Sequence, residues 1–352
     1  MSTLEDHLKQ LKTREQPPRD QAYAEGEATE AANRTTVHES ELTQLDTALA
    51  AALESLHRHW TERKAIEEQA APTPPKAAPA EPPILLPPWA DNRRATAQAI
   101  FRSALFPALN FKKGRPFLKE KRIAAVEGVT VFFTGEQFDQ SDLDVYLELL
   151  QIAHEAPLGV ECTFTAYGLL KALGRATGQA NHKWLHSVLI RLCSGTVDIT
   201  DHRVRYFGHL VEGGTKDETT KHYTIRINPD FARFFKAGLW ASLDIQQRCA
   251  LGRSQTAKAL HAYFSTHAVP APHRYDTLAE IAGLKNKTNP RKQKADLIKA
   301  CEALKQVGLF SDYEAGAATI KVTINQTPTQ IRHVVRKLIK GKRHKRSRRD
   351  AE

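Results

Sequence analysis

Between Thr277 and Gly308 the polar and apolar positions fall into a short helix, a basic turn and a longer helix. Asn289 can cap the longer helix by accepting a free first-turn N–H, and Pro290 suits a position that needs no N–H. Leu297, Ile298, Cys301 and Leu304 then recur on one face at helical spacing. The opposite side carries Lys292, Lys299 and the small Ala295 and Ala303, with Arg291 near its entrance. Beyond it, alternation from Ala318 to Ile324 predicts a two-stranded wing over Leu309–Asn325. Such a unit is a candidate winged helix, whose second helix enters the major groove and reads base edges from its N-terminal residues. Its candidate DNA contacts are Lys287, Asn289, Arg291, Lys292 and Lys299. Taken alone, a helix with a lysine-rich outer face is an ordinary solvated helix.

The pattern recurs about 110 residues earlier, Thr165 standing to Thr277. Thr165 caps a short helix over Ala166–Leu173, Gly174 ends it, and a longer helix runs from Gly178 to Cys193. Leu185, Val188, Leu189 and Leu192 form its core stripe. Gln179, His182, Lys183 and His186 face the other way, with groups able to bond base edges or phosphates. The runs 196–200, 203–207 with Val211, and 222–228 predict a β segment, with Glu212–Thr219 as a glycine-bearing wing tip. Repetition of the whole unit is what raises a basic helix to a DNA-binding architecture.

Around these units the chain predicts a helix near Ala95–Phe106, a hairpin over Arg122–Phe133, and a helix over Gln140–His154. The acids Asp139, Asp142 and Asp144 suit the positive end of that last helix, so its dipole accounts for them without a metal. Asn228–Leu251 links the two units, and a helix Ser254–His267 opens the second. Near the N-terminus Leu42, Leu45, Leu49, Ala52 and Leu56 make an apolar stripe that this segment alone cannot bury. A stretch holding 8 of the 18 prolines follows, a semi-rigid spacer. The expected class is α+β and mostly helical, with two tandem winged-helix domains. The parts are an acidic extension (1–69), a Pro/Ala-rich linker (70–90), two winged-helix domains (91–235 and 236–328) and a basic tail (329–352).

Charge sharpens this picture. The net charge is +11, yet residues 1–90 carry 9 Lys/Arg against 15 Asp/Glu, so the body is strongly basic. A basic body meets a polyanion, most often nucleic acid. The tail from Arg332 to Arg349 holds 10 Lys/Arg and no acid, enough to neutralise phosphates without reading sequence. Four cysteines without paired spacing indicate thiols rather than disulfides or zinc. No signal peptide or run of about 18 apolar residues appears, which implies a soluble, cytoplasmic protein. No nucleotide loop, metal motif or nucleophile elbow is present. A binding protein without cofactor or metal fits better than an enzyme.

The runs Arg102–Phe106, Gly128–Glu136, Gln140–Tyr146 and Phe164–Gly174 resemble the TrfA family of broad-host-range plasmid replication initiators. The resemblance implies tandem winged helices that bind repeated origin sequences (iterons), help open A·T-rich DNA and recruit host machinery. It implies as partners the helicase DnaB, the polymerase sliding clamp, the host initiator DnaA, and a second copy in a monomer–dimer balance. For the clamp it points to Gln140, Asp142 and Leu143. For the helicase it points to the extension with Leu42, Leu45, Leu49 and Leu56. A plasmid-borne winged-helix repressor with no recruiting role is the alternative.

Overall fold

The computed structural model describes residues 50, 51, 53–64, 85–111, 114–284 and 289–349. The chain divides into two units, Met1–Glu81 and Pro82–Glu352. In the first, residues 53–64 form helix α1, which leaves Leu53, Leu56 and Trp60 exposed. Leu42, Leu45 and Leu49 lie outside the described residues.

The second unit opens on Leu86, which is buried, and on Trp89, which lies against His154, Phe235 and Trp240. The end of the proline-rich stretch is therefore core rather than spacer. Strand β1 (Arg93–Ala97) and the short helix α2 (Gln98–Phe101) follow. The expected helix over Ala95–Phe106 is thus half strand. Ala95 and Ala97 pair across to Ser242 and Trp240 of β9 (Trp240–Asp244), a partner about 145 residues on in sequence. A local reading of an alanine-rich run cannot see such a partner.

Strands β2 (Phe117–Ile123) and β3 (Val129–Glu136) form the expected antiparallel hairpin. Helix α3 (Gln140–Ala153) starts in a capping box, with Asp139 accepting from Ser141 and Asp142 and Asp142 accepting from Asp139. Its acids are all paired. Asp142 meets Arg115 and Arg191, Asp144 meets Arg248 and Lys258, and Glu148 meets Arg94.

Next come β4 (Cys162–Thr165), α4 (Ala166–Ala172) and α5 (Gln179–Ser194). Strands β5 (Thr196–Asp201) and β6 (Val204–His209) join β2 and β3 in a four-stranded sheet of order β2-β3-β5-β6. They are not part of the wing, where the alternation alone had placed them. The wing is β7 (Val211–Lys216) and β8 (His222–Ile227), with β4 on the far side of β8, and its tip is the turn 217–221. Most of the expected tip is therefore strand, because Gly213 and Gly214 pair with Arg226 and Ile225.

After a short helix α6 (Ala232–Lys236), β9 and α7 (Ile245–Ala250), the order repeats. Helix α8 (Gln255–Ser265), β10 (His273–Arg274), α9 (Tyr275–Ile281), α10 (Pro290–Gln306), β11 (Phe310–Ala315) and β12 (Thr319–Ile324) run in sequence. Its sheet order β10-β12-β11 reproduces β4-β8-β7. In each copy the outgoing wing strand lies between the strand before the short helix and its own hairpin mate. The first copy differs by the β5–β6 excursion between its long helix and its wing.

Two apolar cores result, one from Leu86 to Leu243 and one built mainly on Leu251 to Ile324. Helix α8 serves both, since Ala262 packs in the first and Ala257, Leu260 and Phe264 in the second. Finally α11 (Pro328–Arg349) makes a helix of the basic tail, which its charges alone had not predicted. Gln330 anchors its start by donating to the His267 carbonyl at 2.7 Å.

Candidate nucleic-acid interface

Each long helix is presented by the same backbone device. Helix α4 ends where Gly174 takes a φ of +64°, so that Gly174 N–H reaches the Lys171 carbonyl and Arg175 N–H the Leu170 carbonyl. Helix α9 ends at Gly283, φ +71°, with Gly283 donating to Glu280 and Leu284 to Ala279. This pair of bonds closes a helix on a left-handed residue, which favours glycine. It turns the chain sharply toward the start of the next helix.

Helix α5 buries Leu185, Val188, Leu189 and Leu192, as the periodicity predicts. Gln179, Lys183, His186, Ser187 and Ile190 lie on its exposed side, while His182 is half-buried. His186 faces the wing, with Nδ1 3.4 Å from the Tyr223 hydroxyl on β8. Arg175, in the turn before α5, stacks on Trp184 at 3.7 Å and so braces the helix entrance. At the wing tip Lys216 and Lys221 are both engaged by Glu218, at 2.6 and 3.1 Å, so much of the tip's charge is spent internally.

Helix α10 is more heavily charged. Arg291, Lys292 and Lys299 are exposed and make no ion pair among the described residues. Asn289 caps the helix, its side-chain oxygen accepting from Lys292 N–H at 3.1 Å. That oxygen is committed to the backbone, leaving the amide NH2 as its free edge. Lys294, by contrast, is structural. Its Nζ donates to the Gly316 and Ala317 carbonyls at 3.1 and 2.9 Å and sits over the Tyr275 ring, fixing the wing turn to α9 and α10. Lys287 lies outside the described residues.

Ser187 and Ile190 escaped the sequence reading. Ile190 is 56% exposed although it stands beside the core stripe, and an isoleucine next to Leu189 reads as core. Its position three and four residues from Ser187 and His186 was the available signal. An exposed apolar side chain on such a face suits a thymine methyl.

The stretch expected to meet the sliding clamp does not offer itself. Gln140, Asp142 and Leu143 are all buried. Leu143 packs in the first core, Asp142 closes the capping box between two guanidinium groups, and Gln140 bonds the Phe106 carbonyl and Arg248. The surface expected from the motif is a helix start held from within.

With this geometry in place, the model of the family described as TrfA protein matches residues 84–317, about two thirds of the chain. The chain belongs to the TrfA family. The match takes in both helix-turn-helix units and leaves out the acidic N-terminal segment and α11. Plasmid replication initiator protein TrfA of Escherichia coli is 28% identical over 232 residues. That alignment spans 63% of this chain and 59% of the relative, so the chain covers under two thirds of that relative's length. Among solved structures, domains 2 and 3 of RctB give a TM-score of 0.44 at 11% identity, over 66% of this chain and 100% of that one. The Pi initiator protein in complex with iteron DNA gives 0.40 at 11% identity, over 53% and 95%. At these scores neither likeness bears on function. Among the described residues no helix is long and apolar enough to cross a membrane.

Proposed function

We propose that this TrfA-family chain is a plasmid replication initiator that binds repeated origin sequences in duplex DNA through two winged-helix units. The observation that carries this reading is the recurrence of one topology, each copy offering the exposed side of a helix that follows a glycine-closed turn. In this reading α5 and α10 occupy successive major grooves on one face of the duplex, about 10 bp apart. Gln179, Lys183, His186, Ser187 and Ile190 meet bases and backbone in one groove. Arg291, Lys292, Lys299 and the amide of Asn289 do so in the other. Helix α11 adds phosphate neutralisation.

The protein acts by binding, not by catalysis, and opens adjoining A·T-rich DNA through the energy of that binding. Recruitment of the replicative helicase falls to the acidic N-terminal segment, where α1 leaves Leu56 exposed. The test combines the purified chain with supercoiled plasmid carrying its own origin and an excess of scrambled duplex. The reading expects retained binding, opening of the A·T-rich segment and intact strands. Nicked product would contradict the non-enzymatic assignment. Binding with no opening, confined to a palindrome at a promoter, would favour a repressor.

A further inference from the structure

Where the two cores meet, the structure places a charged cluster rather than apolar packing. Arg248, on α7, is 1% exposed, and its guanidinium is shared between two other helices, α3 and α8. Nε donates to Asp144 Oδ1 at 2.5 Å on α3, and one terminal nitrogen donates to the Gln140 carbonyl and side-chain oxygens at 3.3 and 2.9 Å. The other terminal nitrogen donates to the Lys258 carbonyl at 3.0 Å on α8. Lys258 Nζ closes the cluster on Asp144 Oδ2 at 2.7 Å. Beside it, His261 is fully buried, with Nε2 3.2 Å from Gln247 Oε1 and Nδ1 unpaired.

Helix α3 belongs to the first core, whereas α8 carries most of its buried side chains into the second. The cluster therefore couples the helix beneath α5 to the helix beneath α10. Apolar surfaces can slide by a fraction of a side chain at little cost. A guanidinium that must at once satisfy one carboxylate oxygen, a side-chain amide oxygen and two backbone carbonyls, with a second cation on the other carboxylate oxygen, has essentially one satisfactory geometry. Losing one partner of such a buried set leaves an uncompensated charge, which makes alternative arrangements costly. Burial alone would raise the Asp144 carboxyl, but Arg248 and Lys258 hold it below the usual range. Burial, and then the same two cations with Arg93, keep His261 neutral. One further tie crosses the same junction, where Arg102 donates to the Thr266 hydroxyl and carbonyl at 3.0 and 3.1 Å. Ala108, which packs in the second core, donates its N–H to the Ala282 carbonyl at 2.8 Å, one residue before the glycine that aims α10.

We propose that Asp144, Arg248 and Lys258 form a buried ionic lock that sets the register between α5 and α10, acting as positioning residues for a two-groove site they never touch. The inference rests on the DNA-binding reading for its purpose, though not for its test.

The test places spin labels at Ser187 on α5 and Glu302 on α10, both exposed, in the full chain with Cys193→Ser and Cys249→Ser. Pulsed dipolar spectroscopy then reads the distance distribution between them. The unmutated lock should give a single narrow distribution. The pair Asp144→Asn with Lys258→Met removes the carboxylate together with one of its cations and should broaden it. Arg248→Lys keeps the charge while losing the planar set of donors that reaches Asp144, Gln140 and Lys258 together, provides a second variant should the first not fold, and should also broaden it. On origin duplex the same lock substitutions, made in the unlabelled chain with Ser187, Glu302 and the cysteines intact, should lose about tenfold in affinity relative to the unlabelled parent with an unchanged salt slope, because every DNA-facing cation is intact. A distribution as narrow as the parent's in a folded variant would overturn the lock. Failure of the parent to bind origin duplex would remove the DNA reading, while the distances would still decide the lock.

Discussion

The two helix-turn-helix units share their order of elements and their sheet topology, yet almost nothing on their outer surfaces is the same. Helix α5 begins at Gly178 with no side-chain cap, and its exposed side carries one lysine among histidine, glutamine, serine and isoleucine. Helix α10 begins at a capping Asn289 and exposes an arginine and three lysines, of which Lys305 is paired with Asp312. The turns diverge too. A side chain at Gly174 would meet open space, whereas one at Gly283 would lie 2.2 Å from Pro107 Cβ. What persists is what topology demands, namely core spacing and a left-handed closure of the short helix. What varies is what faces outward, or what the neighbouring core presses against. In the proposed DNA-binding role, this difference assigns α5 more to shape and hydrogen bonding and α10 more to charge.

Four outcomes would break or sharpen that contrast. The largest is at the two glycines. Gly283→Ala should cost roughly 2–5 kcal/mol, combining left-handed strain with the clash at Pro107. Gly174→Ala should cost only the strain, about 1–2 kcal/mol. Equal shifts in denaturant midpoint would mean that the two turns are not differently constrained.

Acid should separate the cores next. Burial, and then Arg102 and His273, push His267 down to about 4, partly offset by its bond to the Tyr263 carbonyl. Its unfolded form titrates near 6.5. The stability it contributes is therefore complete above that value and is lost as pH falls toward about 4, by at most about 3 kcal/mol. Trp89, Trp184 and Trp240 all pack against the first core. Far-UV circular dichroism should accordingly begin to fall at a higher pH than tryptophan fluorescence changes. Coincident transitions would contradict a weaker second core.

The charge contrast comes third. Lys292→Ala with Lys299→Ala should flatten the salt dependence of origin binding by about two units of slope. Lys183→Ala should change it by about one unit or less. The smallest effect is at the caps. Asn289→Ala should cost about 1 kcal/mol, while Gly178→Ser should gain a few tenths of a kcal/mol. Both are readable by thermal melting.

What was legible in the sequence was local. Thr165 and Asn289 do cap their helices, the leucine stripe of α5 is buried, and Leu297, Cys301 and Leu304 pack on the inner side of α10. What was missed depends on distant partners. Residues 95–97 became strand only because β9 returns to them, and β5 and β6 left the wing because β3 offered a longer edge. The Gln140 stretch resembled an exposed peptide motif, but three arginines from elsewhere in the chain draw it inside. Ile190 was hidden by its neighbour in sequence. In every case but Ile190 the side chain's environment comes from residues two dozen or more positions away, beyond the reach of periodicity.

The central claim is that both long helices meet one duplex. Its most direct test is a footprint of the purified chain on its own plasmid's origin at two salt concentrations, with scrambled duplex as competitor. The account predicts protection recurring at a fixed period of about two helical turns. That protection should survive competitor and higher salt, and should shrink by one groove when either the Lys183 side or the Lys292–Lys299 side is removed. Salt-sensitive coating of any duplex, indifferent to both sets of substitutions, would mean that the basic α11 does the binding and that α5 and α10 are ordinary solvated helices.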